Sequence, residues 1–123
     1  MIDWSKIKHF KKEEFTCNCG CGFNNINDDF VDMLDNARFF TKIPFKINSA
    51  CRCEKHNKMV GGVTDSAHCK GLAVDISVRD DRARFIIISA LLEVGFSRVL
   101  IYDTFVHVDM DLTKPNPILK LMK

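Results

Sequence analysis

Two short apolar runs in this chain carry ionisable groups at their centres, and any fold must find a place for those charges. Residues 72–78 read Leu-Ala-Val-Asp-Ile-Ser-Val, with Asp75 in the middle. Residues 105–110 read Phe-Val-His-Val-Asp-Met and contain His107 and Asp109. Both have the β-branched and aromatic composition of strands. Residues two apart on a strand share a face, so Phe105, His107 and Asp109 point one way and Val106, Val108 and Met110 the other. The valine face is the natural core face. Asp75 lies between Val74 and Ile76, in a strand that is otherwise core. Burying a carboxylate there is costly unless it is paired or bound to a metal. Ala73 shares the face of Asp75 and is small, which leaves room above the sheet.

The rest of the chain supplies one domain's worth of structure. Its 123 residues suffice for one core but not two, so residues 1–123 are read as a single domain. Asn27 or Asp28 can cap a helix in which Phe30, Met33, Leu34, Ala37 and Phe40 recur at helical spacing up to about Thr41, where Pro44 breaks the pattern. Residues 45–49 alternate like a half-buried strand. Residues 52–60 read as a short helix stopped by Gly61-Gly62. Asp80 or Asp81 caps the longest helix, residues 82–94, which Gly95 ends. Residues 98–102 and 105–110 form two β-runs around Asp103-Thr104, a tight hairpin. Residues 1–25 read as a wrap anchored by Trp4, Phe10, Phe15 and Phe23, and the tail after Lys114-Pro115-Asn116-Pro117 as poorly ordered. The order of elements predicts an α+β domain, a small mixed or antiparallel sheet packed with helices.

Charge and composition exclude more than they assign. A net charge of +2 is too small to argue for nucleic acid. No apolar run approaches the roughly 20 residues of a membrane span. The start, Met1-Ile2-Asp3-Trp4-Ser5-Lys6, lacks the layout of a secretory leader. That predicts a protein made in the cytoplasm. Without that leader, the six cysteines are not read as a disulfide framework. Cys17, Cys19 and Cys21, and Cys51 and Cys53, have C-x-C spacing rather than the C-x-x-C of zinc knuckles. Reduced, partly buried thiols are the preferred reading, with Cys69 included; a second, structural metal is the other.

His68 stands in a loop before the Asp75 strand, and Gly71 permits a close turn between them. Two imidazoles and a carboxylate with a fourth position open suit a catalytic zinc, provided His68, Asp75 and His107 converge. Each alone would be an ordinary surface or core residue, as His9 and His56 are read to be.

The pattern Ser66-x-His68-x-x-Gly71-x-Ala73-x-Asp75, followed by His107-x-Asp109, resembles the hedgehog/DD-peptidase zinc fold. More narrowly it is similar to the D-alanyl-D-alanine carboxypeptidase group of zinc peptidases, including its short phage and bacterial single-domain members. Asn48-Ser49-Ala50-Cys51-Arg52 is similar to that family's Ser-Gly-x-Arg element, and residues 56–62 to its next helix and turn. The resemblance covers residues 45–111, with a weaker echo at 15–22. It implies one Zn2+ ion held by His68, Asp75 and His107, with Arg52 facing the substrate and Ser66 hydrogen-bonding the substrate or a ligand. It also implies hydrolysis of peptidoglycan stem peptides, as a D-Ala-D-Ala carboxypeptidase or an endolysin-type endopeptidase, by a monomer that reaches the cell wall through a partner or lysis system.

For the general base the better-known members use an acidic or His residue shortly before the last ligand. Here the candidates are Asp109, the first choice, and Asp103; Asp109 is alternatively a residue that orients a ligand. Cys51 and Cys69 also depart from the family's pattern. The fold also serves binding proteins, so a catalytically inactive, zinc-stabilised binding module is the alternative reading.

Overall fold

The computed structural model describes residues 2–122, and its sheet is organised by the two runs that carry the charges. Helices α1 (Asp28–Thr41), α2 (Glu54–Met59) and α3 (Asp81–Glu93) alternate with strands β1 (Ile47–Ser49) and β2 (Ala73–Ser77), and β3 (Arg98–Ile101), β4 (Phe105–Asp109) and β5 (Ile118–Leu121) follow α3 in succession. The sheet order is β1-β2-β4-β3-β5. All neighbours are antiparallel except β3 and β5, which are parallel. This is the mixed-sheet α+β architecture expected from the sequence.

Local chemistry explains the helix limits. Asn27 Oδ1 accepts the Phe30 N–H at 3.0 Å and starts α1. Asp80 Oδ1 accepts the Ala83 N–H at 2.7 Å and starts α3. Helix α1 ends at Lys42, in the left-handed region (φ 58°), two residues before Pro44. The valine face of β4 is core, as the alternation requires: Val106 and Val108 are fully buried with Val74, Ile76 and Val99. Phe30, Val31, Leu34 and Ala37 of α1 and Ile87, Ala90 and Leu91 of α3 join the same cluster. The opposite sheet face, with Asp75 and His107, is left for another use.

The N-terminal wrap is more regular than its sequence suggests. Two 3-10 turns, Trp4–Lys6 and Lys12–Phe15, lead into the core, and Phe10 and Phe15 are buried in the main cluster. Asp35 of α1 accepts the N–H groups of Lys8 and His9 and ties the wrap down. The tail differs from expectation. Residues 118–121 form β5, held by main-chain bonds such as Ile118 N–H to Ser97 O at 2.8 Å. This edge strand is mostly exposed, so no hydrophobic alternation announces it.

A buried carboxylate joins the end of β4 to this tail. Asp111 is 2% exposed. It accepts Lys70 Nζ at 2.8 Å, Lys114 Nζ at 3.1 Å and the Thr113 hydroxyl at 2.6 Å. Burial pushes its pKa up, but these bonds outweigh burial and hold the carboxyl well below its usual range. A depressed carboxylate stabilises the fold above its unfolded pKa of about 4, and that contribution disappears as pH falls through the native value. Asp111→Asn should therefore cost about 2 kcal/mol near neutral pH. In urea unfolding at a series of pH values, the gap from wild type should begin to shrink below about pH 4 and close only as pH falls through the native pKa. A gap independent of pH would show that the charge on Asp111 contributes nothing.

Candidate metal centre

Pairing of β2 with β4 sets Asp75 directly opposite His107, and Ala73 opposite Asp109. His68 reaches the same point from the loop that precedes β2. That loop closes on itself, with the Leu72 N–H bonded to Ala67 O at 3.0 Å. It turns at Gly71, where φ is +71° and an added Cβ would stand 2.0 Å from the Asn25 carbonyl oxygen. Both the backbone conformation and the close approach require glycine.

Three donor atoms converge. His68 Nε2 lies 3.3 Å from Asp75 Oδ1, and His107 Nδ1 lies 3.0 Å from the same oxygen. One ligand atom from each of the three residues falls within 4.8 Å of the other two. Zn–N and Zn–O bonds of about 2.1 Å imply ligand–ligand edges of about 3.4 Å in a tetrahedral site, so the spacing suits a small divalent cation.

Hydrogen bonding fixes which nitrogen of each ring faces the others. His68 Nδ1 lies 2.7 Å from Ala50 O. A carbonyl only accepts, so Nδ1 carries the proton and Nε2 presents its lone pair to the centre. His107 is turned the other way. Its Nε2 lies 2.6 Å from Asp109 Oδ2, so Nε2 donates there and Nδ1 faces the centre. Carbonyl and carboxylate partners of this kind orient metal-ligating imidazoles.

The charges are mutually dependent. In the metal-free protein burial disfavours the Asp75 carboxylate, but hydrogen bonds from His107 and His68, when those ring nitrogens carry protons, outweigh it and hold its pKa down to about 2. Burial likewise favours neutral His107, yet its bonds to Asp109 and Asp75 raise its pKa above the ordinary imidazole value. Asp109 is lowered: burial works against its charge, and His107, the Asp111 amide and Arg98 prevail.

The surrounding cavity has a volume of about 540 Å3 and is lined by Arg52, Ser66, Arg98, Tyr102, Asp109 and Lys114, among others, besides the three donors. Arg52 donates to Asn57 Oδ1 at 2.9 Å and to Ser49 Oγ at 3.2 Å, and its buried Nε has no partner among the described residues. Gly62 makes this packing possible, since a Cβ there would lie 2.9 Å from Arg52 Nη1 and 2.0 Å from Asn57 Oδ1. Ser66 Oγ accepts the His68 N–H at 3.2 Å and shapes the ligand loop.

The two carboxylates considered for proton transfer are placed differently from each other. Asp109 is 1% exposed. One of its oxygens takes His107 Nε2 and Arg98 Nε (3.0 Å), and the other takes the Asp111 N–H. It borders the cavity, but with both oxygens so engaged it suits the orienting role better than that of a free base. Asp103 lies in the β3–β4 turn with its carbonyl bonded to Arg84, and it is not among the lining residues. Sequence reasoning missed Arg98, which stands opposite Asp109 across β3 and β4. Only the strand register could have revealed that pair. It also missed Asp65 and Lys114, which meet at 3.3 Å on the cavity wall.

Comparison with curated proteins finds no match. The family model for Peptidase M15 matches residues 8–109, a span that contains all three converging donors and the N-terminal wrap from Lys8 onward. Sequence motif, sheet architecture and family match agree, and the chain belongs to the peptidase M15 family.

Proposed function

We propose that this chain is a zinc metallopeptidase that hydrolyses peptide bonds in peptidoglycan stem peptides. The observation that supports it most is the convergence of His68 Nε2, His107 Nδ1 and Asp75 Oδ1 at the floor of an open cavity. In this reading those atoms hold one Zn2+ ion. Zinc supplies Lewis acidity, activating water for attack and polarising the scissile carbonyl.

The chain's own groups do the rest. Ala50 O and Asp109 fix the two imidazoles so that each offers one lone pair, and Arg98 keeps Asp109 ionised beneath His107. Arg52 faces the cavity with a planar guanidinium, suited to a terminal carboxylate of the substrate or to the oxyanion that develops on attack. Its bonds to Asn57 and Ser49 hold it in that direction. The product termini, D-Ala-D-Ala or an internal stem bond, name the specific activity, and mass spectrometry of a peptidoglycan digest reads them directly. Delivery to the cell wall by a partner or lysis system belongs to the same proposal.

His68→Ala should remove the zinc held by these ligands and abolish release of new amines from purified peptidoglycan. Amine release that survives in the variant would sink the assignment. Wild-type protein that is zinc-loaded but inert on every stem peptide would favour the binding-module reading. Arg52→Lys keeps the charge and loses the fork. It should raise KM about tenfold with kcat little changed if Arg52 binds the substrate carboxylate, whereas a fall in kcat alone assigns it to the oxyanion. Asp109→Asn should weaken zinc binding by about 10- to 100-fold, with activity recovering at saturating zinc. Activity that stays lost at saturating zinc would make Asp109 the proton acceptor and overturn the orienting role.

A further inference from the structure

A second group of metal-type donors lies outside the cavity. Cys17, Cys19 and Cys21 of the wrap meet Cys53, the residue that precedes α2, and the four Sγ atoms lie within 4.8 Å of one another. Three of the separations are resolved individually: Cys17–Cys19 is 3.5 Å, Cys19–Cys53 is 3.7 Å and Cys17–Cys53 is 3.8 Å. A tetrahedral zinc with Zn–S bonds of about 2.3 Å places its sulfurs about 3.8 Å apart. All four thiols are free, and the other two cysteines stand apart. Cys51 directs its sulfur at Asn24 Oδ1 instead.

The backbone is arranged to receive anionic sulfur. The Cys53 N–H points at Cys17 Sγ, the Phe23 N–H at Cys21 Sγ and the His56 N–H at Cys53 Sγ, each at 3.4 Å. Donors of this kind stabilise thiolate over thiol and orient it for a metal. The loop is also fixed by contacts that do not involve sulfur. The Cys17 N–H bonds to Phe23 O at 2.8 Å, the Cys51 N–H to Phe15 O at 3.1 Å, and Asn18 Nδ2 to Asn48 O at 2.8 Å.

We propose that Cys17, Cys19, Cys21 and Cys53 bind a structural zinc ion as four thiolates, separate from the His68, Asp75 and His107 centre. Binding replaces four S–H bonds with four Zn–S bonds and releases four protons, leaving a site of net charge −2 and no change of oxidation state. With all positions filled by sulfur the site is closed, which suits structure rather than catalysis. Its effect on the cavity is mechanical. Cys53 follows Arg52 in the chain, and the Arg52 N–H bonds to His68 O at 3.1 Å. The ion would clamp the wrap to the segment that carries Arg52 and the Ala50 carbonyl.

The test uses the full-length His68→Ala protein, so that it does not depend on the catalytic reading. That variant should still purify with about one zinc per chain. Replacing its zinc with cobalt should give the intense near-ultraviolet absorption of thiolate-to-cobalt charge transfer. Four cysteines should resist alkylation until a chelator is added. Adding Cys17→Ser and Cys53→Ser should remove the zinc and the absorption together. Should those substitutions prevent folding, the cobalt spectrum and the alkylation pattern of the His68→Ala protein still decide the matter. Absence of the charge-transfer band, or an intact mass reduced by disulfide formation among these four cysteines, overturns the proposal.

Discussion

The register between β2 and β4 is the constraint on which the rest of the molecule depends. It sets Asp75 across from His107 and Ala73 across from Asp109. A slip of one residue would turn His107 into the core and a valine out into the cavity. That error is prevented from the other face, where Val74, Ile76, Val106 and Val108 are all fully buried. The hydrophobic face therefore aligns the polar one. The apolar packing that holds the domain together is the same device that brings two charged groups within hydrogen-bonding distance.

Such a register places ionisable groups where water scarcely reaches, and removing a charge from water costs several kcal/mol even after relaxation. The structure offsets this by sharing each charge among several partners. Asp109 is nearly inaccessible, yet Arg98, His107 and the Asp111 amide all point at it. Asp111 has two lysines and a threonine. Asp75 faces both imidazoles. The network runs from the cavity floor through β4 into the tail, so β5 and the segment before it do more than cover an edge. Arg98 also holds the Pro115 carbonyl at 2.7 Å, and Lys114 reaches Asp65 across the cavity.

Much of this was legible in the sequence because it obeys short periods. Strand alternation separates Val106 and Val108 from His107, and helix spacing picks out Phe30, Leu34 and Ala37. Caps at Asn27 and Asp80 mark two helix starts. The motif from Ser66 to Asp75 pairs a loop histidine with a strand carboxylate and inserts the glycine their approach needs. What escaped depends on contacts between distant segments. The surroundings of Asp109 are set by Arg98, a residue of another strand. Strand β5 has a weak pattern because its hydrogen bonds, not its side chains, hold it. The grouping of the cysteines was hidden at short range: C-x-C spacing within the wrap says little, and Cys53 comes from a segment that only the fold brings near.

The two donor clusters divide the work of positioning in a way that follows from their chemistry. In the proposed reading, the centre of His68, Asp75 and His107 would leave one metal position open to substrate. An ion held by the four sulfurs, as proposed, would have no open position and would serve to hold the wrap. Between them lies a single short stretch, residues 50–53, whose members face both ways. Ala50 O takes the His68 ring, Cys51 N–H meets Phe15, Arg52 enters the cavity, and Cys53 joins the sulfur cluster. A shift in this stretch would move the imidazole and the guanidinium together. An ion on the four sulfurs would anchor this stretch from the wrap side without placing any further residue in the cavity.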